Sequence, residues 1–205
     1  MNYEEMFEFV RKILIDNNAI KPKKPNQIFR DRFEHTKRVY NWAIKIMDDF
    51  KLIDRDVTLT SAIFHDVGYA YGQKDHPINS DIIFKEYAKS HNFSADFIDK
   101  VSKNILVHSN KELIFDKNST PELIILMEAD LLDEEGALGI AWDLMARGID
   151  KPLSYYDAVH VLNEHSAHIL NQNYMLTPKA KAYWEEKKQF VKEFIEQMEK
   201  DLFIK

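Results

Sequence analysis

Apolar side chains recur at intervals of three and four along almost the whole of this 205-residue chain, and that periodicity points to an α-helical fold. Met6, Phe9, Val10, Ile13 and Leu14 form one such stripe. Val39, Tyr40, Ala43, Ile46 and Met47 form another between Phe33 and Phe50. No run alternates with the period of two that a half-buried strand requires. The 5 Gly and 6 Pro are too few for the many turns of an all-β protein. The expected fold is all-α, with about eight or nine helices.

The breaks between helices carry their own chemistry. Asp56 is the expected cap of a third helix that runs through Thr60, Ile63 and Phe64 towards Gly68. A fourth helix spans Asn79 to Asn92, and Ser94 caps a fifth that ends near His108. Thr120-Pro121-Glu122 joins a capping hydroxyl, a proline at the first helical position and an acid in the first turn. A helix therefore starts there, and it ends around Gly136. Ser154 opens another, with Asp157 in the capping-box place. Thr177-Pro178 opens a long final helix that carries Trp184, Phe190, Val191, Phe194 and Met198. A single domain over residues 1–205 is expected, with helices of 154–203 packing on a core region of about 30–136.

Composition excludes several classes. With no Cys, the chain has no disulfide scaffold, thiolate zinc site or cysteine nucleophile, which suits a reducing cytoplasm. The longest apolar run, Leu123–Met127, is far short of the ~20 residues of a membrane span. The acidic, amphipathic start lacks the features of a signal peptide. A net charge of −6 argues against duplex DNA as a partner. The exception is a basic segment in which Lys21, Lys23, Lys24, Arg30, Arg32, Lys37 and Arg38 face only Asp31 and Glu34. Beside His35, such a segment is expected to border a site that attracts phosphate.

His65-Asp66 ends an apolar helix just before Gly68, and sets a neutral nitrogen donor beside an anionic oxygen donor. That pair suits a divalent cation of borderline hardness. Upstream, His35 shares a helix face with Arg38. Downstream, Glu128, Asp130, Asp133, Glu134 and Glu135 crowd one helix end, where the helix dipole disfavours negative charge. Solvation accounts for Glu134 and Glu135. It accounts less well for Asp130, one turn beyond the apolar Leu126 and Met127.

The series His35, His65-Asp66, Asp130, on separate helices, resembles the H…HD…D pattern of the HD-domain superfamily of metal-dependent phosphohydrolases. RVYNWA after the first histidine, ILVH at residues 105–108 and EADLLDEEGALGIA extend the likeness to small bacterial HD hydrolases over roughly residues 30–200. The resemblance implies an HD-type helical bundle in which His35, His65, Asp66 and Asp130 bind a divalent metal. Mn, Fe, Co or Ni suits this mixed N/O set better than Mg alone. Such an ion lowers the pKa of water towards ~7 and withdraws charge from a phosphate. The resemblance also implies Asp66, His76 and His108 as catalytic groups. Asp133 is the candidate to orient a ligand, and Arg38, Arg30, Lys74 and Arg147 are candidate phosphate contacts, because Leu131 and Trp142 stand where this branch often carries Arg. The implied substrate is a nucleotide or another small phosphate ester or anhydride, with a homodimer compatible. The alternative is a catalytically weak domain that senses a nucleotide. The GYP signature and adjacent His pair of cyclic-dinucleotide enzymes are absent.

Tyr69 and Tyr71 either stack on a base or pack against the next helix. Asp157, His160, Glu164 and His168 fall on one helical face, which reads as a solvated stripe, because a di-iron site needs Glu-x-x-His on two helices and the chain supplies Glu164-His165-Ser166-Ala167-His168 only once. His165, among Ala158, Val161, Leu162 and Ile169, is the expected core histidine. His91 is expected at a helix end on the surface.

Overall fold

The computed structural model describes residues 1–19, 29–150 and 153–204, and every regular element among them is helical. In chain order these are α1 (Tyr3–Asp16), α2 (Arg32–Ile46), α3 (Arg55–Phe64), α4 (His76–Ser90) and α5 (Ala95–Val107). They continue as α6 (Pro121–Glu134), α7 (Ala137–Asp150), α8 (Tyr155–Val161), α9 (His168–Asn171) and α10 (Pro178–Asp201). A π turn over Leu162–Ser166 joins α8 to α9. Counting that segment as one leaves nine helices among the described residues. Lys21, Lys23 and Lys24 of the basic segment lie outside the described residues.

Side-chain caps fix most of the starts. Ser94 accepts from Phe97 N, Thr120 from Leu123 N, and Ser154 closes a capping box with Asp157. The third helix departs from expectation. Its cap is Asp54, which accepts from Val57 N, while Asp56 lies inside the first turn and accepts the Tyr3 hydroxyl at 2.5 Å. Helix α4 starts earlier than expected, at His76, since Pro77 in the first turn has no N–H to leave unpaired. Helix α7 has no capping hydroxyl ahead of it and follows Gly136, whose φ of +77° breaks the chain direction after α6.

Every residue of α3 from Val57 to Phe64 is buried. On one side of α3, Leu59 and Ala62 share an apolar cluster with Val39, Ala43 and Ile46 of α2 and Ile125, Leu126 and Ala129 of α6. Its other face meets Met6, Val10, Phe84, Tyr87, Val101 and Ile105 through Val57, Ile63 and Phe64. At about 1.5–3 kcal/mol per fully buried large side chain, these two clusters hold α3 rigidly between its neighbours. Its C-terminal end is thereby delivered into the middle of the molecule. The fully buried carboxylate of Glu128 on α6 receives the start of α10: Leu176 N, Thr177 N (2.9 Å) and Thr177 Oγ1 (2.6 Å) donate to it. No helix among the described residues is long and apolar enough to cross a membrane.

Candidate metal centre

Three helices bring the first four residues together. His35 lies in the second turn of α2, His65 caps the C-terminus of α3 with Asp66 next to it, and Asp130 lies in the last turns of α6. All four are buried. His35 Nε2 is 3.3 Å from His65 Nε2, 3.2 Å from Asp130 Oδ1 and 3.4 Å from Asp66 Oδ2. His65 Nε2 is 3.7 Å from Asp66 Oδ1 and 3.9 Å from Asp130 Oδ1. Adjacent ligands of an octahedral ion at ~2.1 Å stand roughly 3 Å apart, so the spacing fits donors around one cation.

His76, at the start of α4, and His108, at the end of α5, join from the other side. Their Nε2 atoms are 3.3 Å apart, and each is 3.4 Å from Asp66 Oδ1. Asp66 thus turns one oxygen to His35 and the other to His76 and His108. Gly68 makes this approach possible, since a Cβ there would lie 2.6 Å from Ser80 N and 2.9 Å from Asn79 Cβ, and its own N–H donates to Ser80 Oγ at 2.8 Å.

The hydrogens of the imidazoles can be assigned from their partners. Nδ1 of His65, His76 and His108 lies 2.9, 2.9 and 2.7 Å from the carbonyl oxygens of Ala62, Gln73 and Ile105. A carbonyl only accepts, so each Nδ1 carries the hydrogen and each ring turns its Nε2 inward. Nδ1 of His35 donates to Asp133 Oδ2 at 2.7 Å, with the same consequence. The Nε2 atoms of four histidines and two carboxylates therefore face one another, and His35 offers its lone pair once its Nε2 proton leaves. This is the orientation that outer hydrogen bonds impose on metal-binding histidines.

The charges respond accordingly. Burial pushes His35 down, but Asp130, Asp133 and Asp66 together hold it well above the ordinary histidine range. With no such set of acceptors, His65 is driven by burial down to about 4, and burial also lowers His76. Burial would raise the carboxyls of Asp66 and Asp130. The histidines and Arg32 hold Asp66 well below its usual range instead, and Lys111 and His35 do the same for Asp130. Three overlapping groups could hold a cation: His35, His65 and Asp66; His65, His108 and Asp130; Asp66, His76 and His108.

Around these six, Asp133 is buried and accepts from both His35 and Arg38, whose Nε and Nη2 lie 2.6 and 3.0 Å from it. Arg38 is thus engaged with Asp133, with 40% of its side chain exposed. Arg30 pairs with Glu134 and lies over the Trp142 ring, 4.7 Å from its centroid. No hydrogen bond or ion pair joins Lys74 or Arg147 to the cluster. Lys74 is exposed, and Arg147 donates to His165 Nε2 at 2.9 Å in a separate cleft with Asp157, His160 and Glu164.

Glu134 and Glu135 are not the solvated pair expected, because Arg30 holds the first and His168 the second, at 3.1 Å. Burial, reinforced by Asp130, pushes Glu134 up. His165 is no core residue either. The π turn rotates it out of the apolar stripe, and its side chain is 36% exposed. Asp157, His160, Glu164 and His168 are exposed, and so is His91 at the C-terminus of α4. Tyr69 packs between the Arg32 guanidinium (3.6 Å to the ring centroid) and His76 (4.3 Å between rings). Two contacts were not legible in the sequence: Arg32 Nη1 on Asp66 Oδ2 at 2.7 Å and Lys111 Nζ on Asp130 Oδ2 at 2.5 Å.

An all-α bundle that closes histidines and aspartates from separate helices into one buried cluster defines a class, and comparison with known proteins gives that class its name. The HD-domain family model matches residues 32–135, just over half of the chain, and the chain belongs to that family. No curated protein sequence matches it significantly. Among solved structures, the chain is similar to an HD-superfamily hydrolase from Bacillus thuringiensis: 21% identity, TM-score 0.72, covering 98% of this chain and 97% of that one. It is also similar to Bacillus subtilis YpgQ in complex with ADP (21%, TM-score 0.68, 97% and 93%). A predicted HD-superfamily hydrolase from an uncultured Thermotogales bacterium shares 22% identity at a TM-score of 0.64, over 97% and 92% of the two chains.

Proposed function

We propose that the protein is a metal-dependent phosphohydrolase that cleaves a nucleotide or another small phosphate ester or anhydride. One observation carries the reading: the Nε2 atoms of four imidazoles and two carboxylates converge in a buried cluster, an arrangement suited to a cation at its centre. His35, His65, Asp66 and Asp130 are the proposed ligands, two nitrogens and two anionic oxygens, a donor set suited to a divalent ion of borderline hardness. Such an ion supplies Lewis-acid polarisation of a phosphoryl oxygen and activation of water.

The chain's own residues do the rest. Asp133 fixes the His35 ring and is itself fixed by Arg38. Asp66 links the ligand set to His76 and His108. Those two imidazoles are within reach of Ser109 Oγ (3.3 and 3.2 Å) and are placed to take or return a proton at a reacting phosphate. The ADP in the YpgQ structure supports a nucleotide as the ligand. Because Asp66 Oδ1 lies equally close to both histidines, Asp66, His76 and His108 also suit a second ion.

The test is phosphate release from nucleoside mono-, di- and triphosphates, with Mn²⁺ or with chelator, alongside metal analysis. Turnover that needs Mn²⁺ and disappears with the metal in Asp130→Ala is expected. One or two ions per chain distinguishes the two metal counts. A protein that binds nucleotide and metal but releases nothing is the sensor alternative, and sinks the hydrolase reading.

A further inference from the structure

Lys111 and Arg32 occupy the outer oxygens of the two proposed ligand carboxylates. Lys111 stands on the 3-10 turn Lys111–Phe115 beyond α5, with Nζ 2.5 Å from Asp130 Oδ2, while Asp130 Oδ1 faces His35. Arg32 opens α2, with Nη1 2.7 Å from Asp66 Oδ2 and its guanidinium carbon 3.6 Å from the centroid of the Tyr69 ring. Neither is sealed off, for the side chains are 22% and 17% exposed. Each also has donors beyond the one it uses here, since an ammonium carries three hydrogens and a guanidinium five.

The balance of charge shows what these donors await. Lys111 offsets Asp130, Arg32 offsets Asp66, Arg38 offsets Asp133 and Arg30 offsets Glu134. The histidines add nothing when neutral. A dication that enters and displaces the His35 proton leaves two positive charges uncompensated, among buried side chains where water screens them little. We infer that Lys111 and Arg32 form an anion clamp, one on each flank of the metal position, that selects a substrate ending in a dianionic phosphate over a monoanionic phosphodiester. The clamp rests on the metal-centred reading above and narrows its substrate class to phosphate monoesters and to the free ends of polyphosphates.

Calorimetric titration of the Mn²⁺-loaded protein at pH 8 with inorganic phosphate, a dianion there, and with dimethyl phosphate, a monoanion, tests this directly. Wild type should prefer phosphate by about tenfold or more. Lys111→Met and Arg32→Gln should each weaken phosphate roughly tenfold, the loss typical of one charge-assisted hydrogen bond, and dimethyl phosphate less than about threefold. Lys111→Arg keeps the charge and should stay within about threefold of wild type, with circular dichroism and Mn²⁺ content checked for every variant. Unchanged phosphate affinity in both neutral variants overturns the clamp. So does an equal loss for both anions, which marks structural damage. No Mn²⁺ uptake by wild type removes the metal reading and the clamp with it. The expected phosphate pattern in a protein that hydrolyses no ester supports the clamp and overturns the hydrolase reading alone.

Discussion

Asp133 separates the residues proposed to hold an ion from the one that aims them. Its carboxylate holds His35 Nδ1 and the Arg38 fork at once, with neighbouring His35 and Arg38 keeping it ionised below the usual carboxylate range against its burial. Asp133→Asn retains the shape but loses the charge, and should lower metal affinity about 10–100-fold with helicity unchanged. Equilibrium dialysis against Mn²⁺ measures it, and an unchanged affinity would show that His35 needs no external orientation. The four proposed ligands stood out in the sequence because their order resembles the H…HD…D pattern, to which the place of Asp130 beyond the apolar Leu126 and Met127 added a reason for burial. Arg32 and Lys111 did not stand out. Their long side chains span several ångströms in any direction, and helical spacing says nothing of where such a chain ends. Glu134 misled for the converse reason: a run of acids looks solvated until the arginine that covers one of them is seen, 104 residues away.

Helix junctions decide how the cluster is held. Glu128 is the support for the start of α10, and three donors converge on it. Glu128→Ala leaves those donors buried without an acceptor, and should cost about 2–3 kcal/mol, or roughly 4–12 °C in melting temperature. Metal content should be preserved in the folded fraction, and a loss below 1 °C would mean water replaces the carboxylate. A second junction responds to pH. His91 is raised above the ordinary histidine value, first by the Tyr87 carbonyl that accepts from its Nδ1 and then by Glu5 on α1, 3.0 Å from its Nε2. A raised folded-state value means stabilisation that is complete below the unfolded value of about 6.5 and fades as pH rises through the folded one. Melting temperatures of wild type and His91→Ala should therefore differ more at pH 5.5 than at pH 8.5, and a gap that widens with alkali would contradict the pairing. Caps such as Ser94, Thr120 and Ser154 were legible because hydroxyl capping is local chemistry. The π turn over Leu162–Ser166 was not, since one extra residue per turn leaves no mark on composition, yet it is what carries His165 to the surface.

The molecule as a whole places the cluster where its two apolar clusters meet along α3. The helices therefore have support independent of any ion. Removal of metal by a chelator should leave far-ultraviolet circular dichroism at 25 °C unchanged. It should lower the melting temperature by roughly 5–11 °C if the ion was present at a hundredfold excess over its dissociation constant, which corresponds to ~2.7 kcal/mol. Loss of helicity on chelation would mean that the ion organises the fold rather than occupying it. The helical class was readable from periodicity alone because tight helix packing demands it everywhere. The proximity of α2, α3 and α6 was not readable without the resemblance of its motif, since sequence separation carries no direction in space.

Gly68 gives this assembly an unusual vulnerability. The backbone of α4 rests against its Cα, so the smallest possible addition, one methyl group, would act as a wedge under the helix that carries His76. Every donor atom would still be present, yet the half of the cluster formed by His76 would be levered away from Asp66, while His35, anchored on α2, would keep its place. The centre can thus be taken apart by insertion as well as by deletion, and its working tolerance is narrower than the width of a carbon atom.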